Sequence, residues 1–338
     1  MHAQPSPEPT VTVLMTLHNK GPYVEEAVRS VLASTFTDLE LLVVDDASTD
    51  DGVAVVKRIS DPRIRILESA VNTGRPAAAN RGYDAAAGTY VAVLDADDRM
   101  HPERIARQVA FLDDHPEVGV CGSWLQFFGG RELVHRLPPG DEEARALSLF
   151  GVPVSYGACM FRRSVLEEHA LRCPTQWLTP GMDYLFMLDV GRHAHYANLP
   201  EVLTDYRIGM QNMRHGRDAR RDLFLLTAEV FRRAGISACE REVEAHLFLH
   251  EPPHPPMGSA EVWAVYRWTR KLLRSAPHLF PGPSFAKQLE QRWDRIFHLV
   301  VKENAWASLL HIALSGTWKA RMGYWLSVTR RRWTGGSS

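Results

Sequence analysis

The first hundred or so residues alternate between short apolar runs and segments whose apolar residues recur at helical spacing. Runs that are apolar at almost every position are typical of parallel strands buried on both faces of a sheet. The predicted strands span 12–17, 39–44, 63–67 and 90–94, with a further strand near 202–207, and the predicted helices between the first four strands span about 23–32, 51–60 and 76–87. This alternation predicts an α/β fold with a mostly parallel central sheet sandwiched by helices.

Polar residues follow three of these strands directly. They are His18 and Asn19, Asp45 and Asp46, and the acidic run 95–98. Because ligands of such sheets bind beyond the carboxyl ends of the strands, we expect these residues to share one rim of the sheet. A simpler explanation stays open for the Asp45–Asp46 pair, since aspartates often form Asx turns or begin helices.

The acidic run 95–98 indicates a cation site. Crowded carboxylates repel one another unless a cation or a hydrogen-bond donor is close. Asp95 and Asp97 share a side if the backbone stays extended, and a hard divalent cation prefers few carboxylates together with water and phosphate oxygens. Such a cation could neutralise a diphosphate leaving group. The alternative is that these aspartates only cap the helix that starts near Pro102.

Two common phosphate-binding loops, G-x-G-x-x-G and G-x-x-x-x-G-K-[ST], do not occur in the sequence. Their absence disfavours a dinucleotide-dependent dehydrogenase and a P-loop enzyme. Phosphates would then need a metal or a basic residue, and Arg75, at the start of the third helix, could make a bidentate contact. The alternative for Arg75 is a solvated arginine at a helix start.

Several motifs in a fixed order resemble the family 2 glycosyltransferases, which are inverting enzymes of the GT-A fold that use nucleotide-sugar donors. The resemblance covers about residues 12–207. Its motifs are VTVLMTLHNKGPYVEEAVRSVLASTFTDLELLVVDDASTDDG, NTGRPAAANRG, GTYVAVLDADDRMHPERI, GACMFRRSVLEE and MDYLFML. It implies the GT-A nucleotide-diphospho-sugar transferase fold and a hexosyltransferase type of activity.

The resemblance also implies roles for individual positions. Thr16 and His18 lie where the family contacts the base, although many members have Tyr at the position of His18. Asp46 matches the carboxylate that reads the edge of a uracil or thymine ring. Asp95 and Ala96 match the positions beside the ribose.

Two further carboxylates match the family's reaction site. Asp97 matches the D-x-D aspartate that holds Mn²⁺ or Mg²⁺, and Asp183 matches the general base of inverting members. The sequence departs from the family at Met182, where most members have Glu, and this lessens like-charge crowding around Asp183. It also lacks the histidine that often follows the pair at 206–207, for which His215 is the alternative.

The composition predicts three parts. Residues 1–10 are rich in Pro and predict a flexible leader, residues 11–215 the glycosyltransferase domain, and residues 216–338 a helical C-terminal appendage. No apolar run approaches the roughly 18 residues of a membrane-spanning helix, and the scattered cysteines indicate neither zinc nor disulfides. We therefore expect a cytoplasmic protein, either free or peripheral at the inner face of the plasma membrane.

The C-terminal part is basic and rich in tryptophan. From Trp263 onward the sequence has 13 Lys or Arg against 3 Asp or Glu, and seven of the nine tryptophans. Aromatic and basic residues interleave at 263–274 and 318–333, a pattern that suits an anionic membrane surface. The alternative is a core of tryptophans under a solvated basic face. Nucleic acid is not expected as a partner beside a sugar-transfer site.

The sequence therefore predicts a metal-assisted inverting glycosyltransferase with a UDP- or dTDP-sugar donor and a glycan or lipid-linked saccharide as acceptor, as in polysaccharide or cell-envelope synthesis. One alternative is a nucleotidyltransferase that makes sugar nucleotides, although TLHNKGPY is a poor phosphate loop. The other is a non-catalytic sugar-nucleotide-binding subunit. The missing Glu at Met182 favours that subunit, and the retained Asp97 and Asp183 disfavour it.

Overall fold

The computed structural model of the protein describes residues 8–130, 132–177, 179–209, 218–250, 257–275, 280 and 282–334. The chain divides into two compact units, Met1–Arg217 and Asp218–Ser338. The predicted domain boundary after residue 215 lies outside the described residues, as does most of the predicted leader. The assignment of domains stays a prediction.

The first unit contains a sheet and the helices that cover it. Its strands are β1 (Val11–Leu17), β2 (Leu39–Asp45), β3 (Ile64–Leu67), β4 (Tyr90–Val93), β5 (Arg99–Met100), β6 (Val118–Phe128), β7 (Leu133–His135), β8 (Met160–Arg162) and β9 (His195–Arg207). Its helices are α1 (Gly21–Leu32), α2 (Gly52–Lys57), α3 (Arg75–Ala85), α4 (Arg104–Asp114), α5 (Asp141–Leu147), α6 (Arg163–Glu168) and α7 (Met182–Val190), with a 3-10 turn at Tyr156–Ala158. The strand order is β3-β2-β1-β4-β8-β6-β9-β5, and β7 pairs with β6.

The sheet is parallel where the sequence predicts it and mixed beyond. β3, β2, β1 and β4 pair in parallel, whereas β8 runs antiparallel to both β4 and β6. The predicted strand at 202–207 is the end of the longer β9, which pairs in parallel with β6. The pairing changes register between Leu199 and Val202, where Pro200 has no N–H to donate. This interruption concealed the first half of β9 in the sequence.

Helices cover both faces of the sheet, as predicted. Alternate residues of a strand point to opposite faces, so Val13 and Met15 pack on one side and Leu14 on the other. The side of Val13 is covered by α1, α2 and α4, and the side of Leu14 by α3, α6 and α7. Both layers are built from buried apolar residues, and they confirm the predicted α/β class.

In its described residues the second unit contains helices and no strand. These are α8 (Ala219–Arg233), α9 (Glu240–His250), α10 (Ser259–Ser275), α11 (Ser284–Glu303), α12 (Ala305–Ser315) and α13 (Trp318–Thr334). Trp268 of α10 is buried and contacts Phe231 of α8 and His246 of α9. Trp293 of α11 is also buried, and its ring centroid lies 3.9 Å from that of His311. The predicted helical appendage is confirmed, and two of its tryptophans are core residues.

Candidate active site

The carboxyl ends of β2, β1 and β4 lie side by side and hold most of the predicted site residues. Leu17 and Asp45 are register partners at the ends of β1 and β2, and the Asp46 N–H donates to the Leu17 carbonyl at 2.9 Å. β4 pairs with β1 on its other side. His18, Asp46 and the acidic run 95–98 therefore follow adjacent strands and lie at one rim of the sheet.

The loop after β1 is fastened to the loop after β2. Asn19 has a left-handed backbone with a φ of 52°, which asparagine tolerates better than most residues. Its Oδ1 accepts from the Thr49 N–H at 2.8 Å, and its own N–H donates to Ser48 Oγ at 3.1 Å. His18 Nδ1 lies 2.9 Å from the Asp46 carbonyl oxygen. These bonds hold the exposed His18 ring at the rim.

Asp46 has a structural task that the sequence did not reveal. It is 2% exposed, its Oδ1 accepts from the Thr73 N–H at 2.8 Å and from Thr73 Oγ1 at 2.9 Å, and its Oδ2 accepts from the Gly74 N–H at 2.8 Å. The carboxylate therefore fixes the loop that leads into α3. Asp45 accepts from the Ser48 N–H at 3.2 Å, a contact typical of the Asx turn that is the simpler explanation for this residue.

Thr16 and Ala96, the other two predicted contacts of the nucleoside, differ in accessibility. Thr16 is partly exposed near the end of β1. The Ala96 methyl group is 2% exposed and belongs to the apolar layer on the side of Val13. A ribose beside Ala96 would therefore meet the backbone of that residue rather than its side chain.

Each carboxylate of the acidic run 95–98 has its own hydrogen-bond donor. The pairs are Arg75 Nη2 with Asp95 Oδ1 (2.7 Å), Lys20 Nζ with Asp97 Oδ2 (2.5 Å), and the Arg207 backbone N–H with Asp98 Oδ1 (2.7 Å). Two of the three donors are charged side chains from other elements. Cations of the protein itself thus offset the like-charge crowding at Asp95 and Asp97, whereas the donor to Asp98 is neutral.

Burial affects two carboxylates of the acidic run, Asp95 and Asp98. It raises the pKa of Asp95, and Arg75 opposes this shift. The negative charges of Asp97 and Asp183 raise the same pKa further. Burial and then Asp95 raise the pKa of Asp98 to about 9, which favours its protonated form. Asp98 Oδ2 has no hydrogen-bond partner within the described structure.

Arg75 connects the acidic run to α7. Its guanidinium lies 5.4 Å from the centre of the Tyr156 ring. Loss of hydration would by itself lower the pKa of Arg75, but the carboxylates of Asp95 and Asp183 raise it above its ordinary value. Arg75 therefore stays charged, and it interacts with both carboxylates although they come from distant parts of the chain.

Asp183 lies in the first turn of α7, after Gly181 with a φ of 108°. Its Oδ1 accepts from the Tyr184 N–H at 3.0 Å, and a carboxylate in the first turn is favoured by the helix dipole. Met182 points into the apolar layer on the side of Leu14 and is buried. The residue that replaces the family's Glu is thus a core residue here. His215 lies outside the described residues.

Lys20 and Arg207 are rim residues that the sequence did not single out. Arg207 Nε donates to the Asp97 carbonyl at 2.8 Å, and its guanidinium packs 4.3 Å from the centre of the Phe128 ring. With its backbone bond to Asp98, Arg207 fixes the turn that carries the acidic run. Lys20 is the third residue after the end of β1, next to the polar residues His18 and Asn19. This position is the signal that could have identified it.

Arg104 supports the same turn from the face of the sheet that α4 covers. It is fully buried on α4, and its guanidinium donates to the carbonyls of Val93 at 2.8 Å and Cys159 at 3.1 Å. Burial lowers the pKa of Arg104 to about 10. Because Val93 ends β4, this bond holds the strand from which the acidic run emerges.

The residues present fit a divalent cation held by few protein ligands. Asp97 is 18% exposed, and its Oδ2 already binds a cation, the Lys20 ammonium. A hard cation such as Mg²⁺ uses one or two carboxylates and completes its shell with water and phosphate oxygens. Among the described residues, no group of three or more His, Cys, Asp or Glu could hold a metal by itself. A cation at Asp97 would therefore need phosphate or water ligands.

Comparison with known proteins agrees with this architecture. Residues 12–170 match the family model described as Glycosyl transferase family 2. The chain is similar to the succinoglycan biosynthesis protein ExoO of Rhizobium meliloti (strain 1021), with 33% identity over 192 residues that cover 53% of this chain and 55% of ExoO. Across the first curated relatives, the chain spans about half to two thirds of their length.

Two solved structures show the fold. TarS 1-349 of S. aureus in complex with UDP-GlcNAc matches with a TM-score of 0.59 and 17% identity, over 96% of this chain and 92% of that one. The mannosyltransferase PcManGT from Pyrobaculum calidifontis in complex with GDP-Man and Mn²⁺ matches with a TM-score of 0.50 and 19% identity, over 94% and 76%. The chain thus has the predicted GT-A fold with C-terminal helices, and its residues 12–170 are similar to glycosyl transferase family 2.

Proposed function

We propose that the protein is an inverting glycosyltransferase that moves a sugar from a UDP- or dTDP-linked donor to a hydroxyl acceptor. The observation that carries the proposal is that Arg75 joins the acidic run to the surroundings of α7. Arg75 Nη2 donates to Asp95 Oδ1 at 2.7 Å. Its guanidinium lies over the Tyr156 ring, which packs against Phe186 of α7, the helix with Asp183 in its first turn. Carboxylates from two distant segments therefore share one site at the rim, where such sheets bind ligands.

In this proposal each residue acts on a different part of the reaction. Asp183 accepts the proton of the acceptor hydroxyl, whose oxygen bonds to the anomeric carbon as the bond from that carbon to the diphosphate breaks. Attack from the side opposite the leaving group inverts the configuration. Arg75 donates to a phosphate oxygen. A divalent cation at Asp97, Mn²⁺ or Mg²⁺, would neutralise charge on the departing nucleoside diphosphate.

We predict that UDP and dTDP bind at least about tenfold more tightly than CDP, because a site built to pair a polar group rejects an analogue that lacks it. A carboxylate oxygen has two lone pairs, and the structure gives Asp46 Oδ2 one hydrogen bond, from Gly74. The second lone pair can accept the N3–H of uracil or thymine. Cytosine has no proton at N3.

Calorimetry of the wild-type protein with UDP, dTDP, CDP and GDP in the presence of Mn²⁺ measures this preference. A ligand series is sharper than substitution of Asp46, since any substitution also releases the loop at Thr73 and Gly74. The complexes of TarS with UDP-GlcNAc and PcManGT with GDP-Man share this fold, so the fold does not select the base. Tighter binding of CDP or GDP than of UDP would contradict the placement of Asp46.

Radiolabelled substrates test the proposed reaction against its two alternatives. A glycosyltransferase releases nucleoside diphosphate from a sugar nucleotide, whereas a nucleotidyltransferase forms sugar nucleotide and pyrophosphate. A non-catalytic binding subunit does neither. UDP-GlcNAc is the first donor to test, after the TarS complex. Glycan or lipid-linked saccharides are the first acceptors, because ExoO is a polysaccharide biosynthesis protein. Absence of nucleoside diphosphate release with every donor and acceptor would remove the proposal.

We also propose that the second unit docks on an anionic membrane surface. Trp306 is 78% exposed, and Trp263, Tyr324 and Leu326 are exposed as well. These apolar side chains lie in the basic segment from Trp263 onward, and such a combination favours anionic interfaces. The predicted contributions of the Trp318 side chain and of the side chains at 330–334 lie outside the described part. None of the described helices is long and apolar enough to cross a membrane.

Trp306→Ala is expected to weaken binding to phosphatidylserine vesicles by about tenfold, since burial of such a side chain is worth about 1.5 kcal/mol or more. Co-sedimentation at low salt measures the change. Leu225→Ala is the matched control, because Leu225 is also exposed but lies on α8, outside the basic segment. A wild-type protein that ignores acidic vesicles at low salt would contradict membrane docking.

A further inference from the structure

We infer that Lys20 is an internal competitor for the metal, which holds the Asp97 carboxylate until a nucleoside diphosphate arrives and then binds that diphosphate. The inference rests on the proposed function, because it requires a donor diphosphate and a cation at Asp97. It adds Lys20 to the site, with the Asp97 carboxylate as its first partner and the diphosphate as its second. It also predicts that metal and nucleotide bind cooperatively because of one side chain.

The ion pair of Lys20 and Asp97 is built by the loops on both sides. Lys20 Nζ lies 2.5 Å from Asp97 Oδ2, and the two side chains are only 23% and 18% exposed. The preceding residue, Asn19, is fastened to the loop after β2 through Thr49. The following residue, Gly21, donates its N–H to Asp50 Oδ2 at 2.7 Å. The backbone that presents Lys20 is therefore fixed on both sides.

The ammonium and a divalent cation cannot share this carboxylate at low cost. Both would lie close to Asp97, and like charges at short range repel strongly where water is partly excluded. A metal that enters alone must therefore displace Lys20 from its partner. A nucleoside diphosphate brings the negative charges that both cations need, so its arrival removes the competition.

Lys20 can change partner, whereas the other donors of the acidic run cannot do so easily. A lysine ammonium is a point charge on a flexible four-carbon stem. The donor to Asp98 is a backbone N–H of β9, and Arg75 is held between Asp95 and the face of Tyr156. Displacement of Lys20 therefore needs only side-chain rotation, and its backbone can stay in place.

Binding of Mn²⁺ to the full-length protein, followed by the electron paramagnetic resonance of the free ion, tests the inference. Lys20→Met should bind Mn²⁺ alone about tenfold more tightly than the wild type, a typical size for coupling between sites. The increase in Mn²⁺ affinity on addition of UDP should shrink by the same factor. Lys57→Met is the matched control, since Lys57 forms an exposed ion pair with Glu68, which follows β3 and is separated from β4 and its acidic run by β2 and β1. It should behave as the wild type.

Wild-type Mn²⁺ affinity in a folded Lys20→Met protein would overturn the inference. Lys20→Gln provides a second variant if Lys20→Met unfolds at a lower temperature than the wild type. Asp97→Asn separates the role of Lys20 from the assignment of the metal to Asp97. If Asp97→Asn loses Mn²⁺ while Lys20→Met binds it as the wild type does, only the role of Lys20 fails. If Asp97→Asn binds Mn²⁺ normally, the metal assignment in the proposed function fails as well.

Discussion

Replacement of Asp183 by Asn is expected to lower turnover by about 10²–10⁴ while nucleotide affinity stays close to that of the wild type. The amide keeps the shape of the side chain but cannot accept the proton of the acceptor hydroxyl. Asp183 Oδ1 accepts from the Tyr184 N–H of its own helix, whereas Arg75 and Asp97 are the residues proposed to act on the donor. Loss of the base should therefore leave donor binding intact.

Three measurements in order isolate this effect: thermal unfolding, nucleotide binding by calorimetry, and single-turnover release of nucleoside diphosphate. Asp189→Asn is the matched control, because Asp189 lies on the same helix and pairs with Arg192 at 3.7 Å. It should turn over at the wild-type rate. A purely structural Asp183 would instead lose about 1 kcal/mol of stability with activity retained, as for a helix cap. A folded Asp183→Asn protein with full turnover would remove the base assignment.

The parallel half of the sheet could be predicted because its strands are buried on both faces. β1, β2 and β4 are apolar at almost every position, and few other segments of a soluble protein show this pattern. β5, β7 and β8 contain only two or three residues, too few to show any period. β5 and β8 exist because strands from distant segments supply their hydrogen bonds, whereas β7 pairs with the neighbouring β6.

The carboxylates of the site could be predicted, but their partners could not. A strand followed by aspartates marks a rim by local pattern alone. Lys20 and Asp97 are 77 positions apart, and Asp46 and Gly74 are 28 apart, so no local pattern reports either contact. Met182 was hidden for another reason. Most positions of α7 are apolar, and the spacing therefore could not show which of them face the core.

For the tryptophans of the second unit, too, the sequence could not show which side chains are buried. Composition counts them together, yet Trp268 is 1% exposed and Trp306 is 78% exposed. Trp268 packs 5.2 Å from Phe231, measured between ring centroids, and its Nε1 donates to His246 Nδ1 at 3.1 Å. Both the core explanation and the surface explanation of these residues therefore apply, each to different members of the set.

Trp268→Ala is accordingly expected to destabilise the second unit by about 3–5 kcal/mol, because truncation leaves a cavity and removes the donor to a buried imidazole nitrogen. Trp306→Ala should change the free energy of unfolding by about 0.5 kcal/mol or less. Both variants lose the same side chain, so the effects on the unfolded chain largely cancel in the comparison. Denaturant unfolding followed by far-ultraviolet circular dichroism measures both values. A loss at Trp306 as large as that at Trp268 would mean that Trp306 is buried in solution, and it would then be unavailable to a membrane.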